Sequence, residues 1–312
     1  MTTMFKNHEA IQSLRGNYGQ AGFDILKAPV QYTGQDGWLK SFDGKNVYYR
    51  GDTGTPIAVH GKNYKGLQYS EMIDKTRDML ERCELDCTGI KESIEVSHNG
   101  AMCKVEYDLP ATSFKTPDGD YGSAKVMALN SWNGVWSFVM SLGFQQWACL
   151  NSQVMIKNPA GLIKQKHSQQ LDVNNGTKHI EKIAGILENE ISLWHEMDGT
   201  HVTRNDILDA FGYVAFKDYD GDTQRVNDNL SDESNRKNKN LTYMYRQYYH
   251  VYRPRMGDTQ WAVYNAITDW STHYYEESLR NKTIKKSKNV IQFKARQVER
   301  ATLGLQKWLK VA

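Results

Sequence analysis

The spacing of apolar residues changes part-way along this 312-residue chain. Before Gly161, apolar and polar side chains alternate in short runs, which is typical of strands with one buried face. After Gly161, apolar side chains recur every three to four residues, which is typical of amphipathic helices. The sequence therefore predicts an α+β fold, with antiparallel hairpins in the N-terminal half and helices of the C-terminal half packed against the sheet.

Two hairpins are predicted in the N-terminal half. Asn99-Gly100 and Asn133-Gly134 each stand between alternating runs, and both residue types tolerate the positive φ of a tight primed turn. The segment 123–153 carries one charged residue, Lys125, and is rich in Trp, Phe, Val and Met. We expect it to form the central strand pair of the core.

Helices are predicted from apolar spacing and capping residues. One helix is expected in the first third of the chain, from Ser70 as N-cap to Arg82. Thr203 and Asp206 form a capping-box pattern that should start another helix. The remaining predicted helices span 177–196, 259–280 and 289–310.

Residues 218–240 contain almost no apolar side chain and predict a flexible loop, acidic at its start and basic at its end. This loop separates a predicted α+β core over 1–217 from a basic, aromatic helical segment over 241–312 that packs on the core. Asp218, Asp220 and Asp222 alternate like calcium ligands. However, the glycine stands at the fourth loop position instead of the sixth, and the twelfth is not Glu. A solvated acidic loop is the preferred interpretation, and no metal site is predicted.

Charge is unevenly distributed along the chain. The net charge of the whole sequence is +3, but residues 181–235 carry thirteen acidic and four basic side chains. Residues 236–312 carry sixteen basic and five acidic side chains. This asymmetry favours a polyanion partner for the C-terminal quarter. The alternative is a solvated helix face that pairs with the preceding acidic segment, within or between subunits.

Residues 240–255 read NLTYMYRQYYHVYRPR, with five tyrosines, three arginines and no acidic residue. One core cannot receive all five rings, so some should remain near the surface beside the arginines. Exposed rings can stack on bases while cations hold phosphates. The alternative is that the rings line a core edge or a subunit interface. The candidate nucleic-acid contacts are Tyr245, Arg246, Tyr248, Tyr249, Arg253, Arg255, Lys282, Lys285, Lys286 and Lys288.

No catalytic or cofactor motif is present in the sequence. There is no P-loop, G-x-G-x-x-G, G-x-S-x-G or H-E-x-x-H, and the nine histidines are scattered. We therefore predict no catalytic residue and no cofactor, and favour a binding protein over an enzyme. Cys83 and Cys87 stand four residues apart and leave a metal pair open, although buried thiols are the preferred interpretation.

Cellular location can be predicted from apolar runs. No run is long enough to cross a bilayer, and the first residues lack the apolar stretch of a signal peptide. A cytoplasmic protein is therefore expected.

Several segments resemble one family. Residues 49–71 (YRGDTGTPIAVHGKNYKGLQYSE) are similar to its Asp-Thr-Gly stretch, which leads to a Tyr and a Gln before a helix. LNSWNG and WACLN are similar to its Asn-Ser-His-Asp-Gly and Arg-x-x-Cys-x-Asn blocks. Residues 259–273 (TQWAVYNAITDWSTH) are similar to its Asn-Ala-x-Thr block, and His167 falls where the family has a histidine. The matching residues are Asn130, Ser131, Gly134, Cys149 and Asn151, while Trp132, Asn133 and Gln146 depart from the pattern.

The family is an uncharacterised group of phage- and plasmid-encoded proteins, known as a domain of unknown function. The resemblance implies a mobile-element protein within DNA metabolism, and it supplies no reaction and no catalytic residues. Together with the basic, aromatic C-terminal quarter, it leads to our main hypothesis. The protein is expected to bind single-stranded DNA in the host cytoplasm as a homo-oligomer and to promote annealing or recombination.

Two other function classes remain open. One is a structural or interaction protein, virion-associated or directed against a host defence, whose tyrosines pack at a protein interface. The other is a metal-dependent nuclease that uses the carboxylates of residues 218–222.

Overall fold

Strands precede helices along most of the chain, and this order confirms the α+β prediction. The structure is a computed structural model. It describes residues 3–135, 137–146, 152–153, 162–165, 167, 183–230, 236–280 and 290–310. No helix within these ranges is long and apolar enough to cross a lipid bilayer.

The first sheet consists of three antiparallel strands in sequence order. These are β1 (Ile25–Thr33), β2 (Leu39–Arg50) and β3 (Pro56–Gly61). The turn between β1 and β2 is closed by a hydrogen bond from the Gly34 amide to the Trp38 carbonyl, at 2.9 Å. Most side chains of β1 and of the first half of β2 are exposed to solvent.

The second sheet has the strand order β4-β5-β6-β7-β8, and β9 also pairs with β7. Its strands are β4 (Lys91–Ser97), β5 (Met102–Lys115), β6 (Tyr121–Ser131), β7 (Phe138–Gln146), β8 (Ser152–Gln153) and β9 (Leu162–Gln165). β6 and β7 are neighbours near the middle of this order, and Gly134 has positive φ in the connection between them, as the sequence predicts. Residues 122–124 and 128–132 are buried, which fits a strand at the centre of a core.

The first predicted hairpin is also present, with a longer turn than expected. β4 and β5 pair antiparallel, and Ser97 stands opposite Met102. Residues 98–101 therefore form a four-residue connection instead of a two-residue primed turn. His98, Asn99 and Gly100 all have positive φ. The Tyr69 hydroxyl donates a hydrogen bond to the Gly100 carbonyl, at 2.8 Å. This bond anchors the turn to the helix that precedes β4 in the chain.

Two helices lie in the N-terminal third, where the sequence predicted one. The unpredicted helix is α1 (Thr3–Gln12), and the predicted one is α2 (Tyr69–Arg82). Asn7 of α1 is buried, and its side-chain amide donates to carbonyl oxygens at and beyond the end of α2. Because α1 is short and only weakly amphipathic, its stability depends on this tertiary contact. A contact between residues so distant in the chain leaves no local signal in the sequence.

The start of α2 differs from the prediction. Gln68, not Ser70, is the N-cap residue, and Ser70 lies inside the first turn. The Gln68 side chain bonds both the amide and the carbonyl of Ile25, at 3.0 and 2.8 Å, and so fixes where the helix begins. The predicted apolar face is buried, with Met72, Ile73, Thr76, Met79 and Leu80 all inaccessible to solvent.

Three cysteines are buried as free thiols: Cys83, Cys87 and Cys103. The Cys83 and Cys87 thiols both donate to the carbonyl oxygens of Leu80 and Leu85. Burial raises the pKa of Cys103 to about 12. Across the part of the chain that the structure describes, no three Cys, His or carboxylate side chains come together as metal ligands.

The chain divides into two compact units. The first unit comprises Met1–Thr112, Lys125–Leu142 and Ala160–Ile183, and the second comprises Ser113–Ala124, Gly143–Pro159 and Ala184–Ala312. The C-terminal helices are α3 (Ile183–Gly199), α4 (Arg204–Ala215), α5 (Thr223–Leu230), α6 (Arg236–Gln247), a π-helical segment (Tyr248–Tyr252), α7 (Arg253–Met256), α8 (Gln260–Arg280) and α9 (Val290–Trp308).

Helix α8 is the centre of the second unit, because residues 261–271 are buried without interruption. The ring of Trp261 lies 5.5 Å from that of Trp194 on α3. Helix α9 packs closely on α4: a Cβ added at Gly304 would lie 2.5 Å from Val214 Cγ2. The predicted capping box of α4 is present, with Thr203 and Asp206 each bonding the other's backbone amide.

Helices α5 and α6 occupy much of the range that the sequence predicted as a flexible loop. Asp222 accepts a hydrogen bond from the Arg225 amide, at 3.1 Å, which caps the first turn of α5. Val226 is fully buried and holds α5 against the unit. Two apolar side chains, Val226 and Leu230, are too weak a signal to reveal an eight-residue helix, so the prediction failed at residues 223–230.

Candidate functional site

The tyrosine- and arginine-rich stretch is helical throughout. It begins in α6, passes through the π-helical segment and ends in α7. Leu241, Met244, Tyr248 and Tyr252 recur at helical spacing and are buried. This apolar stripe faces the core of the second unit, so the opposite side of the same helix carries the remaining rings and charges.

Three of the five tyrosines are packing residues. Tyr243 and Tyr252 donate hydrogen bonds to the two carboxylate oxygens of Asp269 on α8, at 2.6 and 2.7 Å. Tyr248 is fully buried, and its hydroxyl donates to Asp258 at 2.7 Å. Burial, reinforced by the Asp258 bond, raises the pKa of Tyr248 above its usual range. The prediction that Tyr248 contacts nucleic acid is therefore wrong, because its ring offers no free face to a base.

The other two tyrosines reach the surface. Tyr245 and Tyr249 are half-buried and one helical turn apart, with ring centroids separated by 4.4 Å. Partial burial and the neighbouring Tyr245 hydroxyl raise the pKa of Tyr249. The Arg253 guanidinium lies 5.2 Å from the Tyr249 ring centroid, within the range of a cation–π interaction. These rings form a small aromatic surface beside positive charge.

The three arginines of the stretch differ in how their charge is compensated. Arg253 binds Asp258 through Nε and Nη2, at 2.7 and 3.0 Å, and this bond lowers the pKa of Asp258. Arg255 binds Asp118 at 2.9 Å. Arg246 is exposed and has no acidic partner within the described residues. Of these three arginines, Arg246 therefore has the most available charge.

A cleft lies beside these half-buried rings, where α4, α5 and α6 meet. It encloses about 420 Å³ and has two arginines at its wall, Arg204 and Arg246. Arg204 Nη2 donates to Asn227 Oδ1 at 2.9 Å. The Thr242 hydroxyl is buried and has no hydrogen-bond partner among the residues described. The full lining is Arg204, Asn227, Asp228, Leu230, Thr242, Tyr245 and Arg246.

The cleft can receive an anionic, partly planar ligand. Two guanidinium groups can hold a phosphate through several donors, and Tyr245 offers a ring at the same opening. Burial of the unpaired Thr242 hydroxyl is costly unless a ligand or water accepts its hydrogen bond. We call the surface formed by Arg204, Arg246, Tyr245 and Tyr249, together with this cleft, the α6 face.

Sequence reasoning found part of the α6 face. Tyr245, Arg246 and Tyr249 were predicted, whereas Arg204 and Asn227 were missed. Arg204 directly follows the N-cap residue Thr203, so its surface position could have been inferred from the capping box. The predicted contacts Lys282, Lys285, Lys286 and Lys288 lie outside the described residues.

The acidic cluster before α5 has structural roles. Asp218 pairs with Arg225, with 3.2 Å between the closest atoms. Asp222 caps α5, and Asp220 accepts a hydrogen bond from the Asp222 amide at 3.4 Å. These contacts account for the alternating carboxylates as parts of a turn and a helix start.

The model of one protein family matches residues 56–302, a domain of unknown function designated DUF932. The chain belongs to this family. No curated protein and no solved structure gives a significant match. The resemblance to an uncharacterised family is thus confirmed, and the matched range includes most of both compact units.

Two of the family-like blocks meet in the first unit. The Tyr64 hydroxyl donates to the Ser131 carbonyl at 3.1 Å. Asn130 Nδ2 and Trp132 Nε1 both donate to the Leu67 carbonyl, at 2.6 and 3.1 Å. Trp132, one of the residues at which the resemblance departs, thus bonds a backbone acceptor in the other block. These residues therefore join the segment before α2 to the end of β6.

Proposed function

We propose that the protein binds single-stranded DNA through the α6 face. The observation that carries this proposal is the meeting of Arg204 and Arg246 at a cleft beside two accessible tyrosine rings. Aromatic rings accept any base by stacking, and arginines hold phosphates without reading sequence. The combination favours a flexible strand with accessible bases over a duplex, whose bases are stacked on one another.

The cellular setting belongs to the same proposal. A phage- or plasmid-encoded protein that acts in the host cytoplasm would meet single strands during replication and recombination of its element. Annealing or recombination would follow if several copies assembled along a strand. The strongly acidic 181–235 and strongly basic 236–312 segments could support such homo-oligomers through contacts between subunits.

The first test is fluorescence anisotropy of a labelled single strand, titrated with the purified protein at several salt concentrations. We expect binding that weakens steeply with salt and exceeds binding to a duplex of the same length. Absence of binding at low salt would reject the proposed function and favour the structural or interaction class.

The second test locates the site. Each phosphate contact contributes about 0.7 to the salt slope for a single strand, so Arg204→Ala with Arg246→Ala should reduce the slope by roughly 1.4. The matched control is Lys307→Ala with Lys310→Ala, which removes two exposed cations of the same unit that do not line the cleft. If both double variants lose the same affinity and slope, binding depends on net charge and the α6 face is not the site.

A further inference from the structure

The hairpin formed by β1 and β2 exposes aromatic side chains in the first unit. Trp38 has 74% of its surface accessible, and Tyr32 has 51%. Phe42, further along β2, is 48% exposed. Isolated exposed apolar residues are ordinary, but large rings gathered on one hairpin leave much apolar surface in water.

The strand register places two of these rings on one face. Tyr32 stands opposite Lys40. Two residues nearer the turn, the Gly34 amide bonds the Trp38 carbonyl, so Gly34 stands opposite Trp38. Side chains two positions apart on a strand point to the same side, so Tyr32, Trp38 and Lys40 share a face. Thr33 and Leu39 form the intervening pair and lie on the other face. We call the face that carries Tyr32, Trp38 and Lys40 the hairpin face.

The close approach at Gly34 supports this assignment. A Cβ at Gly34 would lie 2.9 Å from Lys40 Nζ, so the lysine side chain crosses the hairpin face above the glycine. Lys40 also pairs with Asp36 at 2.7 Å. The cation is thereby held between the positions from which Tyr32 and Trp38 project.

The segment of chain that contains this hairpin carries a net positive charge. Residues 25–65 contain six Lys or Arg and three Asp side chains. Lys27 and Lys45 of this hairpin have no acidic partner in the described part of the chain. A polyanion is therefore the complementary occupant, since a second apolar protein surface would gain nothing from these cations.

We infer that the hairpin face is a second contact for single-stranded DNA, in which bases stack on Tyr32 and Trp38. Diagonal neighbours on an antiparallel pair lie roughly 7–8 Å apart, so each ring can receive one of two successive bases on its outer side. This inference rests on the proposed function, because it adds a site for the same ligand. It assigns base contact to residues that the sequence analysis did not select.

The test compares two double variants of the same hairpin. Tyr32→Ala with Trp38→Ala removes the rings, and Thr33→Ala with Leu39→Ala is the matched control on the opposite face. Loss of stacking should weaken binding about 5- to 150-fold per ring. The salt slope should stay unchanged, because the rings hold no phosphate. The control variant should bind as the unmodified protein does.

The outcomes separate this inference from the proposed function. If the unmodified protein does not bind single strands, the proposed function fails. If it binds through Arg204 and Arg246 but the ring variant binds equally well, only the hairpin inference is overturned. If the unmodified protein is a dimer without DNA, and the ring variant is monomeric with unchanged DNA affinity, the hairpin face is a subunit interface and the inference is again overturned.

A second measurement does not depend on the folding of a variant. An oligonucleotide containing 5-bromouracil is crosslinked by ultraviolet light to the unmodified protein, and the attached peptides are identified by mass spectrometry. We expect attachment at Tyr32 or Trp38, in addition to Tyr245 or Tyr249. Attachment confined to the peptides of the α6 face would contradict the hairpin inference.

Discussion

The two sides of the 240–255 helix use the same residue type for opposite purposes. On the inner side, Tyr243, Tyr248 and Tyr252 are buried, and each hydroxyl bonds a carboxylate. On the outer side, Tyr245 and Tyr249 contact each other and remain accessible. Angular position around the helix, and not residue identity, decides whether a ring stabilises the fold or is available to a ligand.

The acceptors of the inner side explain why this division is hidden in the sequence. The stretch itself contains no carboxylate, and the partners come from the middle of α8 and from the loop before it. Asp269 lies 26 residues after Tyr243 and 17 after Tyr252. The inner tyrosines thus confirm the packing alternative for part of the stretch, while the outer pair leaves the binding interpretation open.

The largest effect should come from the carboxylate of the inner side. Asp269→Ala removes the carboxylate that accepts hydrogen bonds from the Tyr243 and Tyr252 hydroxyls. Losing a buried hydrogen bond to a charged group costs roughly 1–3 kcal/mol, so the free energy of unfolding should fall by about 2–6 kcal/mol. Urea denaturation followed by circular dichroism measures the change.

Two companion variants sharpen this result. Asp269→Asn keeps one acceptor oxygen and should lose less stability than Asp269→Ala. The exposed Asp220→Ala should stay within about 0.5 kcal/mol of the unmodified protein. Equal stability of Asp269→Ala and the unmodified protein would mean that the inner tyrosines do not depend on this carboxylate.

An intermediate effect is expected on the outer side, in binding instead of stability. Tyr245→Ala and Tyr249→Ala should each weaken single-strand binding by about 1–3 kcal/mol, because each removes a stacking surface. Tyr248→Phe is the matched control: it removes only a buried hydroxyl and should leave binding unchanged. Anisotropy titrations at one salt concentration measure these affinities. If Tyr248→Phe weakened binding as much as the outer variants, the assignment of stacking to Tyr245 and Tyr249 would be contradicted.

The smallest effect should come from the paired arginine. Arg255→Gln with Asp118→Asn removes both charges of one ion pair and keeps the net charge of the protein unchanged. Because Asp118 already compensates Arg255, we expect the salt slope of DNA binding to change by less than about 0.5. If the salt slope fell as much as in Arg204→Ala with Arg246→Ala, Arg255 would have to leave Asp118 and bind phosphate.

Sequence reasoning succeeded where the signal is local. The α+β class, the apolar face of α2, the capping box of α4 and the ranges of α8 and α9 depend on spacing within a few turns. The prediction failed where a tertiary contact replaces local spacing. Asn7 fixes α1, Gln68 fixes the start of α2, and Val226 is the fully buried side chain that anchors α5.

The candidate site shows the same limit. Tyr245, Arg246 and Tyr249 were identifiable because the stretch is unusual in composition. Arg204 and Asn227 come from two other helices, and one of these helices lies where the sequence predicted a loop. The convergence of α4, α5 and α6 therefore could not be inferred from spacing, and neither could the burial of Tyr248.

The π-helical segment at Tyr248–Tyr252 determines where the chain can change length without losing the two-sided arrangement. A π turn accommodates one residue more than an α turn, so it keeps the turns before and after it in register despite the extra residue. Deleting one residue within 248–252 would therefore restore α geometry and leave the flanking tyrosines on their present sides. A deletion within the α-helical part of α6 has no such turn to absorb it. It would rotate the residues on one side of the deletion by about 100° and exchange tyrosines between core and solvent without any substitution.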